Sequence, residues 1–274
     1  SFFVEIERFD RHIEKIKSQN GQFLDYVSIC TPNYLHDSHI RMSLRWGCDA
    51  ICEKPLVLNP WNLNSLNEIE RKTGNKVYTI LQLREHETIQ KLKKKIQNSP
   101  PDKVFDIDLT YITSRGNWYY SSWKGNFEKS GGLTTNIGIH FFDMLAWIFG
   151  EVKTNITHLK EHDRASGFIE FERARVRWFL SINSKLLPEN IKKNGKATYR
   201  SIKIDNDELE FSEGFQDLHT KVYRNIINKK GLGIEDARKS IEIVHEIRNS
   251  ATKPLMGDYH PYSKSDLSKH PFKL

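Results

Sequence analysis

The sequence predicts an α/β fold: an incomplete doubly wound parallel sheet, followed by an α+β domain with a largely antiparallel, open-faced sheet. Three observations predict it. The first hundred residues alternate short apolar runs with helically spaced segments, the order of parallel strands joined by right-handed crossovers. From Lys103 onward the strands lengthen and alternate apolar with polar residues, as half-exposed antiparallel strands do. Finally, 38% hydrophobic and 28% charged residues over 274 positions suffice for one large core or two ordinary ones.

Taken in order, Phe2-Phe3-Val4 reads as a short strand, and Asp25-Tyr-Val-Ser-Ile-Cys30 as a strand buried on both faces. Thr31-Pro-Asn33 ends that strand. Tyr34–Trp46 is helically spaced through Leu35, Ile40 and Leu44, and Gly47 is placed as a C′ residue should be. Asp49–Cys52 is a second buried strand ending at Glu53-Lys-Pro55. Residues 60–72 form a helix opened by Asn59-Pro60 and followed by Gly74, and Lys76–Leu83 is a third strand. In the second half, 104–113 is a half-exposed strand and 134–149 a helix. Long strands are expected at 153–160, 166–183 and 197–212, the last folded about Asn206-Asp207. Helices at 217–229 and 234–249 follow, and the tail after Thr252 reads as irregular.

Composition narrows the classes of partner. Forty-two Lys plus Arg against 35 Asp plus Glu give +7 and a pI near 9.1, a balance that suits anionic ligands. The densest basic run, Lys91–Lys95, has no interleaved aromatics and fits the solvated face of a helix, so nucleic acid is not the expected partner. No apolar run approaches the roughly 20 residues that span a bilayer, and no apolar leader opens the chain. Cys30, Cys48 and Cys52 fall in strand-like runs without a second ligand pair. Packed thiols of a cytoplasmic protein are expected, with neither disulfide nor metal.

Three constellations carry chemistry. Pro55 keeps Lys54 out of the α conformation, so this lysine leaves its strand at the carboxyl edge of the sheet, where open α/β sheets bind ligands. Partial burial there lowers a lysine pKa, although the tripeptide also fits an ordinary surface turn. In Gly131-Gly-Leu-Thr-Thr-Asn136-Ile-Gly138-Ile-His140-Phe-Phe-Asp143, helical spacing puts Asn136, His140 and Asp143 on one face. Asp143 is then expected to fix the His140 tautomer while the other ring nitrogen exchanges a proton, and Gly138 leaves room for a ligand or a strand. A packed histidine at a helix N-terminus is the plain alternative. Third, 113–124 carries Arg115, Trp118, Tyr119, Trp123 and Lys124, suited to stacking on a sugar or base and to meeting an anion, or simply to packing against a neighbour. Gly231-Leu-Gly233 follows a helix rather than a strand and is no dinucleotide fingerprint.

Together, Cys30-Thr-Pro-Asn-Tyr-Leu-His36, Glu53-Lys-Pro55, Gln82-Leu-Arg84 and Asn136-x-Gly-x-His140-x-x-Asp143 resemble the Gfo/Idh/MocA oxidoreductases over nearly the whole chain. Tyr111–Trp118, Ala174–Trp178 and Phe211–His219 look most like the branch that oxidises the 3-hydroxyl of UDP-N-acetyl-2-amino-2-deoxyglucuronate with NAD for bacterial surface polysaccharide (lipopolysaccharide, O-antigen). The resemblance implies a Rossmann domain remaining at 1–84 and a substrate-binding and oligomerisation domain at 85–274. It implies NAD lined by Cys30, Thr31, Pro32, Asn33, His36, Glu53, Lys54, Gln82 and Arg84. Lys54, His140 and Asn136 are the expected catalytic group, and with Arg115 and Trp118 they are expected to meet the substrate. A tetramer assembled through the exposed face of the second sheet is implied, and in some branch members 2-oxoglutarate reoxidises the NADH.

Two departures matter. Asn136 stands where much of the family has Asp, which leaves open whether Lys54 or His140 takes the proton. The family also opens with a βαβ unit carrying a glycine turn for the pyrophosphate, a unit of about 30 residues or more. The 24 residues before Asp25 hold no such turn. The expectation is that a further βαβ unit precedes Ser1, and that a chain beginning at Ser1 binds NADH about tenfold more weakly or worse. Other sugar or inositol dehydrogenases of the family are the nearest alternative. A non-catalytic sugar-nucleotide sensor is the rival from another class, and it has no use for Lys54 and His140 together.

Overall fold

The computed structural model describes residues 1–21, 24–205, 207–211 and 214–272. Its first element is a helix, α1 (Ile6–Asn20), preceded by irregular chain, so the strand expected at residues 2–4 is absent. Ile13 of α1 is buried with Trp46 and Cys48, and Asp10 accepts a hydrogen bond from the Trp46 indole at 2.6 Å. The strands β1 (Tyr26–Ile29), β2 (Asp49–Cys52) and β3 (Val77–Thr79) then pair in parallel in that order. They are joined by α2 (His36–Trp46) and α3 (Pro60–Thr73). The helix ends are those expected from the sequence: Gly47 at φ 86° and Gly74 at φ 76° adopt the left-handed conformation that glycine reaches without strain. Ile40, Leu44, Leu63 and Leu66 pack these helices on the sheet and are fully buried, each contributing about 1.5–3 kcal/mol.

Two expectations fail here. β2 and β3 are buried almost throughout, but β1 is half-exposed and pairs only with β2 among the described residues. Cys30, just beyond it, is exposed, whereas Cys48 and Cys52 are buried. The third strand is shorter than its apolar run. It ends at Thr79, and residues 82–85 turn into a 3₁₀ segment that swings Arg84 toward the second domain.

The second half opens with α4 (Glu87–Gln97), which buries Ile89, Leu92 and Ile96 and leaves Lys91, Lys94 and Lys95 to solvent. Next come β4 (Phe105–Thr113), the short helices α5 (Trp118–Ser121) and α6 (Phe127–Ser130), and a π-helical turn at Thr134–Gly138 that leads into α7 (Ile139–Phe149). The strands β5 (Val152–Lys160), β6 (Arg164–Phe171), β7 (Ala174–Ser181), β8 (Thr198–Ile204) and β9 (Asp207–Glu210) complete a sheet of order β5-β6-β7-β4-β8-β9. It is antiparallel except where β4 runs parallel to β7. The single strand expected at 166–183 is thus a hairpin. Two charged residues in a row, Glu172-Arg173, shift the phase of the alternation at the turn, which is also held from outside, by hydrogen bonds from Arg173 to the carbonyls of Ile96, Ser99 and Pro100. Asn206 of the expected turn between β8 and β9, and Ser212-Glu213 of the 211–219 motif, lie outside the described residues.

α7 lies across the inner face of this sheet, with Phe142 edge-on to Trp178 at 5.2 Å. A Cβ at Gly138 would stand 2.6 Å from Leu180, so the room that this glycine leaves is taken by a strand. After α8 (Glu189–Lys193) and α9 (Leu218–Ile227), α10 (Ile234–Asn249) packs against α3 and α7, and one apolar core runs through both halves. The outer face of the sheet is less open than expected. The tail lies on it, with His260 stacked on Phe179 and bonded to Thr110, and with the fully buried Arg164 donating to the carbonyls of Ser265 and Asp266. No described helix is long and apolar enough to cross a membrane.

Candidate active site

The carboxyl ends of β1 and β2 meet the π turn before α7. Thr31-Pro-Asn33 leaves β1, and Glu53-Lys54-Pro55, whose Lys54–Pro55 peptide is cis, leaves β2. His36 locks these two turns together: its ring nitrogens lie 2.7 Å from the Pro55 carbonyl and 2.8 Å from that of Thr31. Burial lowers its pKa against the pull of those carbonyls. Asn33, also buried, donates to the Ser130 carbonyl and ties the first turn to α6. Both residues were expected to line a cofactor. The structure uses their polar atoms as braces, while Thr31, bonded to His39 at 3.0 Å, and half-buried Pro32 border the crevice.

Lys54 is the centre of the site. Its ammonium donates to the backbone carbonyl of Asn136 at 2.8 Å and has no carboxylate at ion-pair distance among the described residues. Burial brings its pKa down to about 8. Glu53 pulls the other way, while Lys124 and Arg115 push it further down. The π turn produces this arrangement, because its i+5 pairing shifts the helical register by one residue and turns the 136 carbonyl toward the lysine. The Asn136 side chain points elsewhere and donates to the Tyr119 hydroxyl at 3.1 Å. The expected Asn136–His140 face is therefore not that of a regular α-helix.

His140 is the second unusual group. Its Nδ1 is shut off from solvent and has no hydrogen-bond partner among the described residues. Burial, with Lys54, Arg200 and His219 nearby, holds its pKa well below the ordinary histidine value, so the ring is neutral at physiological pH. The expectation that Asp143 fixes its tautomer is corrected. Asp143 takes two hydrogen bonds from Arg84, at 2.7 and 3.0 Å, and Arg84 also binds Asp236 at 3.0 Å. Burial acts to lower the Arg84 pKa, yet these carboxylates hold it above its ordinary value. Arg84, expected at the cofactor, is thus spent on a clamp between the end of β3, α7 and α10. Gln82 lies half-buried just before it.

Glu53 faces His219 of α9 at 3.3 Å, and Cys30 borders the hydroxyl pair of Ser28 and Tyr223. Arg115 and Trp118 sit exposed on the loop above Lys54. Lys124 stacks over Trp118 at 5.5 Å and Trp123 at 5.7 Å. Sequence reasoning missed the roles of Tyr119, Arg200 and His219, although the aromatic richness of 113–124 pointed toward the first. The described residues contain no cluster of His, Cys, Asp or Glu able to hold a metal. A nicotinamide cofactor fits this crevice: it lies at the carboxyl edge of a parallel sheet, and Lys54, half-buried and held by one backbone carbonyl, is a polar group still able to meet a ligand.

Comparison with known proteins agrees with this geometry. Residues 4–81 match the oxidoreductase-family NAD-binding Rossmann fold of the Gfo/Idh/MocA proteins, and residues 93–251 match that family's C-terminal alpha/beta domain. The WlbA (WbpB) dehydrogenase of Thermus thermophilus, solved with NAD and alpha-ketoglutarate, is 45% identical. It superposes with a TM-score of 0.92 over 96% of this chain and 84% of that one. The same enzyme solved with NAD and UDP-GlcNAcA gives 0.91. D-Glucoside 3-dehydrogenase of Escherichia coli (strain K12) is 26% identical over 46% of this chain, and inositol 2-dehydrogenase of Rhizobium meliloti (strain 1021) is 26% identical over 49%. Those alignments span only 36% and 39% of these curated relatives. With family matches across both halves and the lysine, histidine and parallel-sheet crevice in place, the chain belongs to the Gfo/Idh/MocA oxidoreductase family, whose N-terminal domain binds NAD.

Proposed function

We propose that the protein oxidises the 3-hydroxyl of a UDP-linked N-acetylated glucuronic acid in the synthesis of a bacterial surface polysaccharide. The observation that carries this reading is a half-buried lysine and a half-buried neutral histidine, neither paired with a carboxylate among the described residues, close together at the carboxyl edge of the parallel sheet beneath a cationic, aromatic loop. Bound NAD supplies the hydride acceptor. Lys54, with a pKa of about 8, is the group matched to take the hydroxyl proton near neutral pH. His140, kept neutral, orients the hydroxyl or receives its proton through its imidazole. The cations around the two groups, Arg115, Lys124 and Arg200, suit a substrate with a carboxylate and two phosphates. The likeness to the Thermus dehydrogenase supports the uronate and also 2-oxoglutarate as the partner that reoxidises the cofactor. Cytoplasmic location and a homotetramer complete the reading.

Following NADH absorbance with NAD and UDP-N-acetylglucuronic acid tests it. Turnover is expected, and kcat/KM should rise as pH increases through about 8, because the base works only when Lys54 has lost its proton. Turnover of inositol or a simple glucoside, with none of the nucleotide sugar, overturns the substrate assignment.

A further inference from the structure

Lys54 leaves β2 on a turn whose next residue, Pro55, has no N–H to donate, so the Pro55 carbonyl is the backbone group by which a neighbour grips it. His36 is that neighbour. Its Nδ1 stands 2.7 Å from the Pro55 oxygen in buried surroundings, and its Nε2 stands 2.8 Å from the Thr31 carbonyl, where the surroundings are part-exposed. His36 is 1% exposed and opens α2, whose Ile40 and Leu44 are sealed in the core, so the ring is fixed to the scaffold rather than to either turn. Before the turn, the Glu53 N–H donates to the Ile29 carbonyl at 3.0 Å, and after it Leu56 and Val57 are fully buried. The peptide between these fixed points aims the Lys54 ammonium at the Asn136 carbonyl. A neutral imidazole has one N–H for its two carbonyls. Burial, and the positive end of the helix dipole at the start of α2, both disfavour a second proton. Burial holds the His36 pKa below the ordinary value; the two carbonyls and Glu53 pull it up, and Lys54 pushes it down. His39, one turn on, is likewise lowered by burial and by His36. The Thr31 carbonyl has water to turn to and the enclosed Pro55 carbonyl has none, so the single proton belongs on Nδ1.

We propose that His36 is a positioning residue for Lys54: by donating from Nδ1 to the Pro55 carbonyl, it holds the turn that keeps the ammonium on the Asn136 carbonyl and half-shielded from water. The proposal rests on the reading of Lys54 as proton acceptor. It gives the two ring nitrogens unequal duties, Nδ1 serving the lysine turn and Nε2 the cofactor turn. Without the Nδ1 bond, Lys54 swings into water, and its pKa moves back toward the ordinary lysine value of about 10.4. Glu53, Lys124 and Arg115, the charges that act on Lys54, and His140 nearby all keep their places, so the shift reports the change in burial.

Two amide substitutions in the full-length protein separate the nitrogens. His36→Asn sets an amide nitrogen near the place of Nδ1, and His36→Gln sets one near that of Nε2. At saturating NAD, His36→Asn should keep the rise of kcat/KM at about 8, as in the wild type. His36→Gln should move that rise up by about one pH unit or more, which lowers kcat/KM near neutral pH about tenfold through the deprotonated fraction alone. Trace acetylation of Lys54 with acetic anhydride, read by peptide mass spectrometry across pH, reports the same titration without substrate. A purely structural role costs both variants stability alike and leaves their titrations equal. Equal titrations in the two variants, or a shift in His36→Asn alone, overturn the proposal. In the wild-type protein, nitrogen NMR shifts of the His36 ring should place the proton on Nδ1 near neutral pH. An unprotonated Nδ1 overturns the proposal even where neither variant folds. Turnover with an unmoved profile in His36→Gln removes the positioning role and keeps the reaction. A labelling titration that moves in His36→Gln, without turnover of the nucleotide sugar, keeps the positioning role and removes the reaction.

Discussion

His140 and Asp143 stand three residues apart on α7, and they have opposite fates. Asp143 is saturated: Arg84 grips both its oxygens and reaches on to Asp236, so the cluster joins three elements. His140 has a buried nitrogen with no described partner, and across from it Lys54 carries a proton held only by a carbonyl. Both are buried ionisable clusters. In one, desolvation is offset by well-aligned opposite charges, and the result is rigidity. In the other only Glu53, beyond ion-pair distance of Lys54, works against it, and the result is a pair of shifted pKa values beside a crevice. Completeness of pairing, rather than burial, separates the structural cluster from the chemical one.

The strongest way to break this comparison is to remove the unpaired groups. In the proposed reaction, Lys54→Met and His140→Asn should each lower turnover about 10²–10⁴-fold, as loss of acid–base help does. Nucleotide-sugar affinity should be largely kept. A near-normal rate in either variant removes that residue from the chemistry. The paired cluster should respond in the other currency. Asp143→Asn leaves Arg84 with one carboxylate instead of two and should cost stability, up to the roughly 3–5 kcal/mol of a broken buried pair, as a lower urea midpoint. The pH dependence of turnover should stay put in the protein that remains folded. A shifted pH profile with unchanged stability reverses the two assignments.

Smaller effects sharpen the boundary between the clusters. If Arg115 meets the uronate or a phosphate, Arg115→Leu should weaken substrate binding by about 1.5–3 kcal/mol, read by calorimetry. Equal affinity leaves it a surface residue. The smallest change is at Tyr119. Tyr119→Phe removes the acceptor of the Asn136 amide and should cost about 0.5–1.5 kcal/mol, seen either in thermal unfolding or in kcat. A loss confined to kcat places Tyr119 with the chemical cluster, and a loss confined to stability places it with the structural one.

Much of this molecule is written locally. The crossover helices begin and end where Asn59-Pro60, Gly47 and Gly74 say they should, because caps and left-handed glycines act within a turn of themselves. Other features have their causes elsewhere in the chain. The hairpin at Glu172-Arg173 is secured by carbonyls more than seventy residues away, which no alternation pattern records. The first helix is itself legible, since Ile6, Phe9, Ile13 and Ile16 recur at helical spacing; what the tertiary structure adds is the partner of that stripe, Trp46 and Cys48.

The same division runs through the site. By itself the sequence determined which residues stand at the carboxyl edge of the parallel sheet, since strand order, a proline after Lys54 and a glycine-framed Asn136–His140 segment are local facts. Only the tertiary structure decided what those residues do there. A π turn, invisible to helical spacing, shifts the register and hands Lys54 a backbone carbonyl instead of the Asn136 side chain. Arg84, from a segment some sixty residues earlier, claims the carboxylate that sequence spacing had assigned to His140. The physical reason is common to both. A buried polar group bonds to whatever correctly aimed partner the packing brings within about 3 Å, and packing is settled by the whole core rather than by neighbours in the chain.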